Sequence, residues 1–122
     1  MPLSSRFTIH QQLSLNLNGW QTIPDICLYP KGVLKVDWDS DEDEVDIPPL
    51  LVIEILSPKQ NLQPLVDKIR EYLRQAVKSC WLVEPATEVV TIFNAAGKRA
   101  HTSGVMRDEA VGVEISLPEL FA

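Results

Sequence analysis

The chain has 122 residues, 45% of them apolar, enough for one domain around one core and too few for a second domain of ordinary size. No apolar run approaches the ~18 residues that cross a bilayer, and Met1 to His10 lacks the regions of a signal peptide, so the expected location is the cytoplasm. The net charge of -6 argues at face value against a polyanionic partner.

The charge is unevenly spread. Seven of the seventeen acids (Asp37, Asp39, Asp41, Glu42, Asp43, Glu44 and Asp46) fall within ten residues, and the other ten face eleven Lys and Arg. Outside that stretch the chain is close to neutral, with no strongly basic face for non-specific phosphate binding.

In chain order, Gln12 to Leu17 sets Leu13, Leu15 and Leu17 against Ser14 and Asn16, the period of a strand with one solvated face, and Asn18-Gly19 supplies a turn. Pro24 to Tyr29 is a second short strand, in which Asp25, Cys27 and Tyr29 share a face. The acidic segment 37–49 follows. Its alternating aspartates imitate a calcium loop, but Glu42 stands where an EF-hand needs glycine and Pro48 where it needs glutamate, so a solvated, mobile loop is expected.

Leu50 to Leu56 is a short, branched, nearly unbroken apolar run, as in a central strand covered on both faces. From Leu62 the apolar residues Leu65, Val66, Ile69, Leu73 and Ala76 recur at helical spacing, with Pro64 admissible in the first turn. Cys80 to Val83 and Val89 to Phe93 read as two more strands, Val111 to Ile115 as a weaker one, and Pro118 to Phe121 as a closing turn. Strand, helix, strand over residues 50 to 83 is the pattern of a crossover on a mixed sheet, so the expected fold is a single α/β or α+β domain.

Glu54 is the most informative residue. It interrupts a run whose other members are all apolar, and an ionised carboxylate there costs several kcal/mol unless it is paired, protonated or bound to a cation. Two readings stand: a structural ion pair with a core-flanking Lys or Arg, or a functional carboxylate. Lys68 lies on the flank of the helical stripe beside Tyr72, where it either reaches the end of the preceding strand or pairs at the surface with Glu71 or Glu88. Asp25 on the neighbouring strand could complete a site of two carboxylates and an amine, suited to Mg²⁺-assisted phosphodiester hydrolysis. Cys27 and Cys80, each in an apolar segment without CxxC spacing, read as buried reduced thiols. His10 and His101 have no nucleophile motif near them, Gly97 and Gly104 form no phosphate loop, and Trp20, Trp38 and Trp81 are scattered, with Trp81 expected in the core.

Four stretches taken together resemble the Uma-type family of restriction-endonuclease-like proteins, a branch of the PD-(D/E)XK nuclease superfamily. They are Pro24-Asp25-Ile26; Leu51 to Pro58 with Glu54 inside it; Asp67-Lys68 with Tyr72; and Ala76 to Pro85. The Leu117 to Phe121 ending is also similar. The superfamily pattern places its lysine two residues after the glutamate, where this chain has Leu56; in the Uma branch the lysine lies in the following helix, which matches Lys68, fourteen residues on. The resemblance implies a restriction-endonuclease-like mixed sheet with a flanking crossover helix. It also implies Asp25, Glu54 and the Ile55 backbone carbonyl as ligands of Mg²⁺ (or Mn²⁺), Lys68 serving the attacking water, DNA as substrate and a homodimer as the working form. The chain departs from the family in its acidic loop, and the family's usual N-terminal helical region is expected to be missing. A catalytically silent fold serving as a dimerisation or protein-interaction module is the competing expectation, and RNA or a nucleotide is the competing substrate.

Overall fold

The computed structural model describes residues 5–34 and 44–122. Trp38 and the acids from Asp37 to Asp43 therefore lie outside the described residues, and only Glu44 and Asp46 of the acidic run can be placed.

Five strands run Phe7–Gln11 (β1), Leu15–Leu17 (β2), Trp20–Thr22 (β3), Ile26–Pro30 (β4) and Leu51–Ile55 (β5), followed by the helix Leu62–Arg74 (α1). Then come Ser79–Glu84 (β6), Val89–Asn94 (β7), Gly97–His101 (β8), Val105–Asp108 (β9), Val113–Ser116 (β10) and the short helix Leu117–Leu120 (α2). A six-stranded sheet is ordered β1-β4-β5-β6-β7-β8. Within that sheet, among the described residues, only β5 and β6 pair in parallel, and α1 is the crossover between them. This is the mixed sheet with a flanking helix expected from the sequence, an α+β arrangement in one domain.

The alternation of β5 divides the core into two layers. Val52 faces α1 and joins Leu65, Ile69, Tyr72, Cys27, Tyr29 and Cys80, with Leu15 and Leu17 of the β2–β3 hairpin packed on the same side. Leu51 faces the other way and joins Trp81, Val83, Val90 and Ile92, under Met106, Val113 and Leu117 of the C-terminal hairpin and α2. Among the described residues no helix is long and apolar enough to cross a membrane.

Several local readings are corrected. The strand expected over Gln12 to Leu17 is two pieces, because Gln12 takes φ 53 and ends β1, leaving β2 only Leu15–Leu17. Asn18 and Gly19 do turn the chain, both at positive φ, as a two-residue hairpin turn of the mirror-image type requires. Ala76 is not part of the helical stripe: it takes φ 72 while the Val77 amide returns to the Tyr72 carbonyl at 3.1 Å, closing the helix end. The far end of the acidic segment is tied down rather than free. Val45 exchanges backbone hydrogen bonds with Ser14 and Asn16 at 3.0 and 2.9 Å, and the Ile47 carbonyl accepts the Tyr29 hydroxyl at 2.6 Å.

Candidate active site

β4 runs antiparallel to β5 with Ile26 opposite Ile53. One step further along that register sets Asp25 opposite Glu54, and directly opposed residues of an antiparallel pair point to the same face. That face is the one α1 covers. The three residues singled out from sequence, Asp25, Glu54 and Lys68, are thus delivered to one corner by two strand ends and a helix flank.

Glu54 is 2% exposed. The Lys68 ammonium lies 3.0 Å from its Oε1, donates to the Ile23 carbonyl at 3.1 Å, and sits 5.8 Å from the centre of the Tyr72 ring. Lys68 therefore reaches the strand end and not Glu71, which is paired with Arg74 at 3.2 Å. Although the amine is close, Glu54 Oε1 meets no donor in good hydrogen-bond geometry among the described residues.

Burial pushes the Glu54 carboxyl above its usual range; Lys68 pulls it back, the Asp25 charge adds to the rise, and the Tyr72 hydroxyl opposes it. Asp25 is half-buried and anchored, its Oδ2 accepting the Ile55 amide at 2.7 Å. Because the N–H and C=O of one strand residue point to the same edge, the Ile55 carbonyl also faces the Asp25 side, while the Leu56 amide turns to Val83 at 2.9 Å. Ile55 is 39% exposed, so the corner opens to water past this residue.

These groups fit a hard divalent cation. A buried carboxylate oxygen without a well-oriented donor, a second carboxylate opposite it and a main-chain carbonyl on the same edge form an all-oxygen donor set, of the kind that leaves Mg²⁺ most of its waters. Among the described residues no three His, Cys, Asp or Glu side chains converge on a metal position, so the carboxylate donors number two.

Two buried hydrogen-bonded arrangements, one at this corner and one across the sheet, were not read from sequence. Thr22 and Tyr72 share a buried hydrogen bond of 2.8 Å that ties β3 to α1 behind Glu54. Tyr72, four residues after Lys68, carried a signal through its i,i+4 spacing; Thr22 carried none. On the opposite face of the sheet, Asp108 is 1% exposed and accepts from Ser79 Oγ, from Trp81 Nε1 at 2.7 Å and from the Ala110 amide at 3.1 Å. Flanked by Arg107 and Glu109, it carries no local pattern that marks burial.

A family model described as "Uma2: Putative restriction endonuclease" matches residues 3–122. The chain belongs to the Uma2 family. Among solved structures it is similar to a "putative nuclease belonging to DUF820" from Anabaena variabilis ATCC 29413. The TM-score is 0.80 at 18% sequence identity, over 98% of this chain and 70% of that one. At that identity the likeness establishes the shared fold. No curated protein sequence matches. The Uma2 assignment covers Asp25, Glu54 and Lys68 together, so the corner described above lies wholly within the family's matched region.

Proposed function

We propose that this Uma2 chain is a divalent-metal-dependent nuclease that hydrolyses DNA phosphodiester bonds at the corner formed by Asp25, Glu54 and Lys68. The observation that carries the reading is the buried Glu54 carboxylate, opposed by Asp25 and reached by the Lys68 amine at 3.0 Å. Asp25, Glu54 and the Ile55 carbonyl would hold the ion, Mg²⁺ or Mn²⁺. When bound, it would supply positive charge to the phosphate and acidify a water.

The chain's own residues account for the rest. The Asp25 to Ile55 hydrogen bond fixes one carboxylate relative to the other, so the pair is arranged before any ligand arrives. Lys68, beside Glu54, would orient the attacking water or stabilise charge on the phosphate oxygens. Its side chain is 30% exposed, which gives the amine room to do so. Cutting both strands of a duplex needs two such sites, so the working form is a homodimer, acting in the cytoplasm.

Purified protein with Mg²⁺ or Mn²⁺ should nick plasmid DNA, and Glu54→Gln and Asp25→Asn should abolish nicking. Equal activity in wild type and Glu54→Gln would sink the reading. One observation favours a second reading: Glu54 and Lys68 already satisfy each other's charge, as in a purely structural ion pair of a catalytically silent interaction module. Calorimetric titration separates the two. The nuclease site binds Mn²⁺ and loses it on Asp25→Asn, whereas the silent module shows no such binding.

A further inference from the structure

Lys68 belongs to two features at once. Its amine reaches Glu54, and its stem helps wall an open cleft of about 840 Å³ between α1 and the β2–β3 hairpin. Trp20 lines that cleft together with Gln21, Glu44, Asp67 and Glu71. Part of the Trp20 surface is open to solvent. Its ring is braced edge-on by Tyr72, at 4.8 Å between centroids and 66° between planes, and Tyr72 is locked in turn by Thr22. A rigid, partly exposed indole at the rim of a cleft is a stacking surface whose ordering cost has already been met by the fold.

The charges decide what could stack there. Among the described residues that line the cleft, Glu44, Asp67 and Glu71 face two cations, Lys68 and Arg74; Lys68 is committed to Glu54 and Arg74 to Glu71. A phosphate would meet excess negative charge. A flat neutral group that donates N–H would meet acceptors. Glu44 Oε1 takes the Gln21 amide at 2.9 Å and Asp67 Oδ1 takes the Gln63 amide at 2.9 Å, but a carboxylate has about four acceptor positions, so capacity remains on both. The amino groups of cytosine, adenine and guanine are such donors. Thymine and uracil present a carbonyl oxygen where cytosine has its amino group, and carboxylates repel it.

We propose that this cleft is a base-binding subsite, taking an unpaired, amino-bearing nucleobase stacked on Trp20, one nucleotide away from the phosphate held at Glu54 and Lys68. The placement of that phosphate rests on the nuclease reading; binding of the base does not.

The test uses neutral nucleosides, with neither phosphate nor metal. Deoxycytidine titrated into the protein should shift the Trp20 indole N–H in proton–nitrogen NMR spectra, assigned by its loss in Trp20→Leu, and thymidine should bind at least about fivefold more weakly. Trp20→Leu should weaken deoxycytidine binding by about tenfold, the usual effect of losing one base–aromatic stack. Asp67→Asn, at an exposed position and with an acceptor kept for Gln63, should remove the preference for deoxycytidine over thymidine. Equal binding of the two nucleosides to wild type, no binding, or shifts confined to other regions would overturn the proposal. Should Glu54→Gln still cut DNA while the nucleoside results stand, the nuclease reading falls and the subsite survives.

Discussion

Asp25 and Ile55 join the ends of two neighbouring strands: the carboxylate of one accepts the backbone amide of the other at 2.7 Å, just past the last ladder pair between Ile26 and Ile53. A side chain thus continues the ladder where the β4 backbone has ended. The same bond sets the aspartate opposite Glu54.

Removing that bond should loosen the end of β5. Asp25→Ala is expected to cost about 1.5 kcal/mol, the low end for a hydrogen bond to a charged group, because water can reach the exposed Ile55 amide. Asp25→Asn keeps an acceptor and should cost less. Urea denaturation gives the energies, and hydrogen exchange at Ile55 should quicken in the alanine variant only.

Glu54 should make stability fall with rising pH. Burial raises its carboxyl in the folded state above the ordinary glutamate value of 4.5, so between the two values the native protein holds more protons than the unfolded chain. The contribution is fully present below pH 4.5 and is lost as pH climbs through the raised folded value. Glu54→Gln cannot titrate, so its stability relative to wild type should improve from pH 4 to pH 8 in parallel denaturation series. A flat difference across that range would contradict the assignment.

Lys68→Met tests the other half of the pair. It strands Glu54 without its cation, and at pH 8 should cost about 2 kcal/mol, less than for a fully buried pair because the lysine side chain is 30% exposed. At pH 5 the glutamate can take up a proton instead, and the loss should shrink. Thermal melts at the two pH values measure the difference.

Asp108 should matter for folding and not for chemistry. Its replacement by alanine leaves the Trp81 N–H and the Ser79 hydroxyl buried without their acceptor and should cost about 3–4 kcal/mol. Any nuclease activity per folded molecule should be unchanged, provided it is assayed well below the lowered melting temperature.

Cys27 and Cys80 should be inert in the native protein. Both are fully buried, and burial pushes the Cys27 thiol up to about 12 and raises Cys80 as well. They flank Val52 on the strands either side of β5, which separates them by roughly 9–10 Å, beyond the ~7 Å limit for a disulfide. Thiol reagents should label neither in buffer and both in denaturant, and oxidation should yield no intramolecular bridge.

The central strand, the crossover helix and the oddity of Glu54 were legible because each is a local pattern: a run of branched residues, a 3.6-residue recurrence, one charge among six apolar neighbours. Strands β1, β3, β8 and β9 were not read. β8, Gly-Lys-Arg-Ala-His, is exposed almost throughout and has no alternation to detect; the sheet edge imposes its conformation through backbone pairing with β7. β3 is only three residues long and follows from the turn at Asn18-Gly19 rather than from its own sequence.

The sequence alone determined which residues could carry charge into the core, since hydropathy along a short segment is enough to mark Glu54 as costly and Lys68 as within reach. Tertiary structure decided who pays that cost with whom. The facing of Asp25 and Glu54 depends on strand register, the Lys68 contact on how α1 lies across the sheet, and the burial of Asp108 on a hairpin 27 residues beyond Trp81. Desolvation and hydrogen bonding depend on distances through space, and those are set only when the layers close.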